Sequence, residues 1–265
     1  MLRDAFPRNH RSSPRPDGPW AIAQEWHHVL FLHWPVDAGS LRPRVPAPLE
    51  IETRDGLAWV SVIPFAMRRL RPRGLPALPW LSSFPQLNVR TYVTLEGRPG
   101  VFLLRIAVAS PLVVSIARRL FHLPYHRARL ALREERDGWI FTCRPRGGRQ
   151  TRGGEGPFSF AARYRPEGSA FLPEPGSLEH WLSERFRYYT AGPDGRIDRG
   201  DLDHPPWVLQ PARVDTLEGV WPEAFGIQGG RAPALAYYSR RQHAISCLPK
   251  RVAGKAWPGS SREPA

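Results

Sequence analysis

Lysine is almost missing from this 265-residue chain. Only Lys250 and Lys255 occur, against 36 arginines, so no amine nucleophile or Schiff-base former exists before residue 250. Cysteine is equally scarce. Cys143 and Cys247 cannot build a disulfide framework, and they point to a reduced, cytoplasmic setting. No stretch of about 18 apolar residues is present, which excludes a helical membrane span. The N-terminus carries arginines but no apolar segment after them, so it does not read as a secretory signal. A Gly-x-Ser-x-Gly elbow, a phosphate-binding glycine loop and a Gly-x-Gly-x-x-Gly turn are all absent, which removes the commonest hydrolase and nucleotide-binding signatures.

What is present suits a folded domain. Ten Trp and 12 Phe supply large apolar surfaces for a core. The 30 prolines and 23 glycines have no three-residue period and stay below a low-complexity composition. The net charge of +14 is unevenly spread. Four arginines fall in 68–73, four in 144–152, and the last 26 residues are basic, leaving a nearly neutral body. These stretches read first as solvated loops and tails. The alternative is a nucleic-acid partner held by the arginines of 68–73 and 144–152.

Residues 1–19 form a polar, Arg/Pro-rich tail expected to be disordered, as is 253–265, with one domain over 20–252. Alternating apolar runs predict strands at 27–34, 57–67, 86–96, 101–109, 125–135, 138–145, 157–165, 186–191, 207–214, 234–240 and 243–248. The run Leu57–Met67 is apolar on both faces, as in a strand buried on both sides. A turn at 97–99 makes a hairpin of the pair around it. Helices are predicted over 110–121, with Pro111 at the first position, and over 177–185. Many strands with two or three short helices mean an α+β, mainly antiparallel barrel or folded sheet.

The polar residues that could carry chemistry cluster on one strand. Period 2 puts Gln86, Asn88, Arg90 and Tyr92 on one face and Leu87, Val89 and Val93 on the other. If that polar face lines a barrel, Arg90 either clamps an anion or pairs with a buried carboxylate such as Glu184. A helix-to-strand junction gathers Arg118, His122, Tyr125 and His126. His122 and His126 have metal-compatible helical spacing, but Pro124 breaks the helix between them and no third ligand follows, so no metal and no cofactor are expected.

The segments Phe31–Val36, Asp55–Val60, Asn88–Val93, Leu123–Tyr125, Leu182–Arg185 and His204–Trp207, in this order, resemble the YqjF-like family of bacterial proteins of unknown function. That family is similar to the acetoacetate decarboxylase-like superfamily, which implies a closed β-barrel with a cavity. The resemblance also implies a mechanism. Decarboxylases of the superfamily use a lysine of lowered pKa, after a proline at a helix-to-strand junction, to form a Schiff base. Here that place holds Tyr125 and His126, and a cavity acid of the superfamily is matched by Gln86. Imine chemistry thereby loses its nucleophile and its carboxylate.

The resulting expectation is a soluble protein binding a small, acidic organic molecule. Gln86, Asn88, Arg90, Tyr92, Arg118, His204 and Tyr238 would line the site, and Tyr125 and His126 would transfer protons. Any catalysis would be lyase- or hydratase-like and independent of lysine. A ligand-sensing or structural protein without catalysis is the alternative.

Overall fold

A computed structural model describes residues 10–11, 13–16, 18–78, 81–111, 113–114, 124–146, 159–192, 195–219, 227, 230 and 232–254. Its strands are β1 (Ile22–Val36), β2 (Glu50–Ile51), β3 (Ala58–Pro72), β4 (Phe84–Leu95), β5 (Arg98–Val108), β6 (Tyr125–Glu135), β7 (Gly138–Pro145), β8 (Phe160–Pro166), β9 (Arg187–Ala191), β10 (Arg196–Asp203), β11 (Gln210–Glu218), β12 (Leu235–Ser246) and β13 (Lys250–Gly254). Among the described residues two short α-helices, α1 (Ala38–Leu41) and α2 (Leu178–Ser183), lie complete between them.

Nine strands close a mixed barrel in the order β5-β6-β7-β8-β11-β12-β1-β3-β4, with β4 paired back to β5. The β5–β6 pair is parallel. A second circuit shares part of this wall. β5 pairs its start with β9 and its end with β6. β12 pairs its start with β11 and its end with β10. The strands β12, β1, β3, β4 and β5 therefore belong to both circuits, and the middle of this shared sheet is covered on both faces.

That arrangement explains β3. Ten consecutive residues, Ala58 to Met67, are buried, as the two-sided apolar run predicts. One face of the shared sheet, with Leu30, Leu32, Val62, Leu87 and Val89, packs on Phe141, Cys143, Phe160 and Tyr164 of the β6–β8 side. The other face, with Tyr92, Leu103 and Ile106, meets Leu182 and Trp181 of α2 and Tyr125.

The β4–β5 hairpin turns one residue earlier than expected. Leu95 pairs with Arg98, and Glu96 and Gly97 both take positive φ, 51° and 69°, which is what a two-residue turn requires. The expected strands at 125–135 and 138–145 coincide with β6 and β7. The expected helix 110–121 begins as predicted, Val114 N–H bonding the carbonyl of Ser110 and Val113 N–H its hydroxyl; residues 115–123 lie outside the described residues.

Three expectations are corrected. The runs 234–240 and 243–248 are one strand, β12, because Arg240 and Arg241 point outward while both strand edges stay paired. β10 was not expected, since its sequence is full of charge. Its buried Asp198, Asp201 and Asp203 are matched by Arg196, by Arg187 and Arg199, and by Arg11 and Arg15. Residues 10–11 and 13–16 lie against the domain for the same reason. Arg11 bonds Asp203 and covers the Phe186 ring at 4.0 Å, and Arg15 reaches Asp203 at 3.3 Å.

Gly138 marks a close approach between β7 and β8. A Cβ there would stand 2.2 Å from the Tyr164 carbonyl oxygen and 2.8 Å from Arg165 Cβ. Backbone cannot step aside as a side-chain tip can. Gly138→Ala is expected to destabilise the fold by about 1–3 kcal/mol, seen as a lowered urea midpoint. An unchanged midpoint would contradict the strand spacing.

Candidate functional site

The polar face of β4 sits in the second circuit, beneath the end of α2. Ser177 caps that helix, accepting from His180 N–H at 3.1 Å, and the helix ends at Ser183. Its last turn leaves carbonyls without helical partners. The Leu182 carbonyl takes two donors from β4, Arg90 Nη2 at 2.9 Å and Tyr92 OH at 3.0 Å. Trp181 lies on the Tyr92 ring, centroids 4.7 Å apart. Arg185 holds this corner together. It bonds Glu52 at 2.7 Å and the Trp181 carbonyl at 2.6 Å, and it lies over both rings.

Strand register adds two residues that the sequence reading did not single out. His33 of β1 pairs with Ser61 of β3, which pairs with Arg90 of β4, so the three stand in one cross-strand row. Their side chains connect. His33 Nδ1 is 2.7 Å from Ser61 Oγ, and Ser61 Oγ is 2.7 Å from Tyr92 OH. One proton arrangement serves every contact. Tyr92 donates to Leu182, Ser61 to Tyr92, and His33 Nδ1–H to Ser61. The reverse direction would set the Tyr92 and Leu182 oxygens against each other with no proton between them. His33 is thereby a neutral imidazole with its lone pair on Nε2. Burial, and then the Arg90 charge, lower its pKa to about 3.

Arg90 is not paired with Glu184, the carboxylate considered for it. Glu184 Oε1 accepts from Trp207 N–H at 2.7 Å, its other oxygen lies 4.0 Å from His10, and burial raises its pKa to about 7. Among the described residues no carboxylate pairs with Arg90. Its Nη2 bonds only the Leu182 carbonyl and its Nε is buried without a partner. Gln86, on the same face, donates to Asn88 at 2.8 Å and leaves Oε1 buried without a partner.

The other expected site residues divide. Gln86, Asn88, Arg90 and Tyr92 share a face as predicted. Tyr125 packs in the apolar cluster with Tyr92 and Leu182, and burial lifts its phenol to about 12, so it is neutral at pH 7. His126 follows it on β6 and so points to the opposite face; it cannot work beside Tyr125. Tyr238 is also turned away. It stacks with Trp139 and bonds His28 at 3.0 Å in the other core, and its neighbour Tyr237 is the one near His33, with ring centroids 6.5 Å apart. Arg118 lies outside the described residues.

His204 belongs to a separate clasp. It stacks on Phe186, its Nδ1 is 2.7 Å from the Pro205 carbonyl, and burial lowers its pKa to about 4. His10, Glu184 and His204 bring donor atoms within 4.8 Å of one another. A dication there would meet the Arg11 guanidinium, whose charge already acts on both Glu184 and His204. The trio is part of the clasp that docks residues 10–11 and 13–16. Two of the 68–73 arginines, Arg71 and Arg73, face the Trp20 ring at 5.6 and 5.7 Å. Residues 147–158, most of the second arginine-rich stretch, lie outside the described residues.

Residues 23–243 match the DUF2071 family, described as an uncharacterized conserved protein. The chain belongs to this family. The uncharacterized protein YqjF of Bacillus subtilis (strain 168) is 37% identical over 230 residues, covering 87% of this chain and 92% of YqjF. Two solved structures are similar in fold. Acetoacetate decarboxylase from Legionella pneumophila is 14% identical with a TM-score of 0.57, covering 92% of this chain and 94% of its own. The enduracididine biosynthesis enzyme MppR, complexed with the condensation product of pyruvate and imidazole 4-carboxaldehyde, is 11% identical with a TM-score of 0.58, covering 91% and 92%. The acetoacetate decarboxylase-like fold of this DUF2071 chain is thus shown. No helix among its described residues is long and apolar enough to cross a membrane.

The His33 assignment has a measurable sign. Its folded pKa of about 3 lies below the ordinary 6.5. The unfolded chain therefore takes up a proton before the folded one does as pH falls. The stability contributed by neutral His33 is complete above pH 6.5 and drains away toward pH 3. Imidazole ¹⁵N spectra are expected to show Nδ1 protonated and no His33 titration above pH 4, and His33→Gln to flatten part of the acid limb of stability. A titration near 6.5 would refute the relay.

Proposed function

We propose that this protein binds a small organic acid on the polar face of β4, the ligand carboxylate on Arg90, by chemistry that uses no lysine. The observation that carries this reading is the Arg90 guanidinium itself. It is partly buried against apolar strands, holds one backbone carbonyl, and has no carboxylate partner among the described residues. A guanidinium in that setting has high affinity for a carboxylate, which it can take in two parallel hydrogen bonds. MppR, similar in fold, is complexed with a product of pyruvate, itself a small acid.

Lysine-independent chemistry follows from the inventory of amines. Lys250 is the only lysine among the described residues, and it is exposed on β13. Tyr125, which the resemblance matches to the superfamily lysine, is a neutral buried phenol that can donate a proton but cannot form an imine. In this reading Tyr125 supplies the acid for lyase- or hydratase-type chemistry, and the interior of the protein is its working volume.

Two measurements test the reading. Arg90→Gln is expected to weaken binding of lactate- or pyruvate-sized acids at least about 10-fold by calorimetry, the loss of a charge-assisted bidentate pair, with unchanged circular dichroism. Equal affinity in the variant would remove Arg90 from the site. Borohydride reduction in the presence of pyruvate is expected to leave the mass of the intact chain unchanged, and an added pyruvyl mass would restore imine chemistry.

A further inference from the structure

Arg90 supplies charge, and the row it stands in supplies a second element of recognition. His33 and Arg90 flank Ser61 on neighbouring strands, so their backbones are about 10 Å apart at two strand spacings. The Arg90 charge acts on the imidazole. A small ligand on the guanidinium therefore lies within reach of His33. What His33 offers it is set by the relay. Nδ1–H is spent on Ser61, Ser61 on Tyr92, and Tyr92 on the Leu182 carbonyl. Nε2 makes no hydrogen bond among the described residues, and in this tautomer it carries a lone pair and no proton. It can accept and cannot donate.

We infer that the ligand is a 2-hydroxy acid, its carboxylate on Arg90 and its hydroxyl donating to His33 Nε2, and that the site discriminates against the matching 2-oxo acid. The inference rests on the carboxylate reading of Arg90 and extends it. A ketone oxygen is an acceptor. Placed opposite Nε2, it would bring two lone pairs together and leave that nitrogen unsatisfied, a stronger ground for rejection than any loss of apolar contact. A hydroxyl satisfies both partners. The ring suits this role because it stays neutral through the physiological range, so the acceptor does not disappear with modest acidification. Ser61 is a positioning residue here. It touches no ligand, and it fixes which nitrogen keeps the proton.

The test is calorimetric titration with the matched pairs lactate and pyruvate, and 2-hydroxybutanoate and 2-oxobutanoate, on the full chain. The wild type is expected to bind each hydroxy acid at least about 10-fold more tightly than its oxo partner. His33→Gln and Ser61→Ala are expected to shrink that ratio, while both keep the carboxylate affinity that Arg90→Gln removes. Should His33→Gln fail to fold, Ser61→Ala reads the same preference. Equal or better binding of the oxo acids, still lost in Arg90→Gln, would overturn the hydroxyl inference and leave the carboxylate reading standing. A preference for hydroxy acids that survives both substitutions would also overturn it. Absence of binding by either class to the wild type would overturn both readings together.

Discussion

The sheet shared by β12, β1, β3, β4 and β5 has no wet side where His33, Ser61 and Tyr92 stand, each at most 1% exposed. A polar side chain there cannot turn to water and must be satisfied from within, since an unpaired buried hydroxyl or amide costs about 1–3 kcal/mol. His33, Ser61 and Tyr92 meet this demand in series, and the series ends on the Leu182 carbonyl. The carbonyl is available because α2 stops there. One exposed helix end thus orders three side chains on three strands, and it holds Arg90 as well.

This arrangement ties the short helix to the chemistry. α2 has only six residues, too few to be stable alone. It is held by Leu182 and Trp181 packing on Tyr92, by the Ser177 cap and by Arg185 bridging to Glu52. The guanidinium of Arg185 is committed to that task, Nε to the Trp181 carbonyl and Nη1 to Glu52, with Nη2 left without a hydrogen bond. Arg90, one strand position from the same ring, is not. Two arginines over one tyrosine therefore divide the work, the first paired and structural, the second with capacity for an anion.

Most of the fold was legible in the sequence. Alternation located β6 and β7, and the two-sided apolar run foretold the doubly covered β3. β10 was not legible because its buried aspartates and their arginines look like a solvated loop until the pairing is seen. The polar face was legible where one strand carries it, as Gln86, Asn88, Arg90 and Tyr92 show. It was illegible where strands meet. His33 sits in an apolar run and reads as a core histidine, and only the β1–β3–β4 register puts it beside Arg90. Tyr237 and Tyr238 are adjacent and chemically identical, so the choice between them depends on which face turns inward, a matter of one residue of parity. His126 was misplaced by the same rule.

The weight given to Arg90 depends on whether a carbonyl alone suffices for a guanidinium in such a place. A hydrogen bond from a charged donor is worth about 1.5–3 kcal/mol, while withdrawing a cation from water costs several. A carboxylate at 4 Å adds about 4 kcal/mol of attraction at an effective dielectric near 20. Arg11, Arg185, Arg187 and Arg199 each lie against an acid. Arg42, half-buried as Arg90 is, has no acid beside it and is held instead by the carbonyls of Leu49, Val45 and Pro46. Arg90 has neither arrangement among the described residues: one carbonyl takes Nη2, Nε is buried without a partner, and Gln86 Oε1 on the same strand face is unpartnered too. A guanidinium with that much unused donor capacity is what a site for an anion requires.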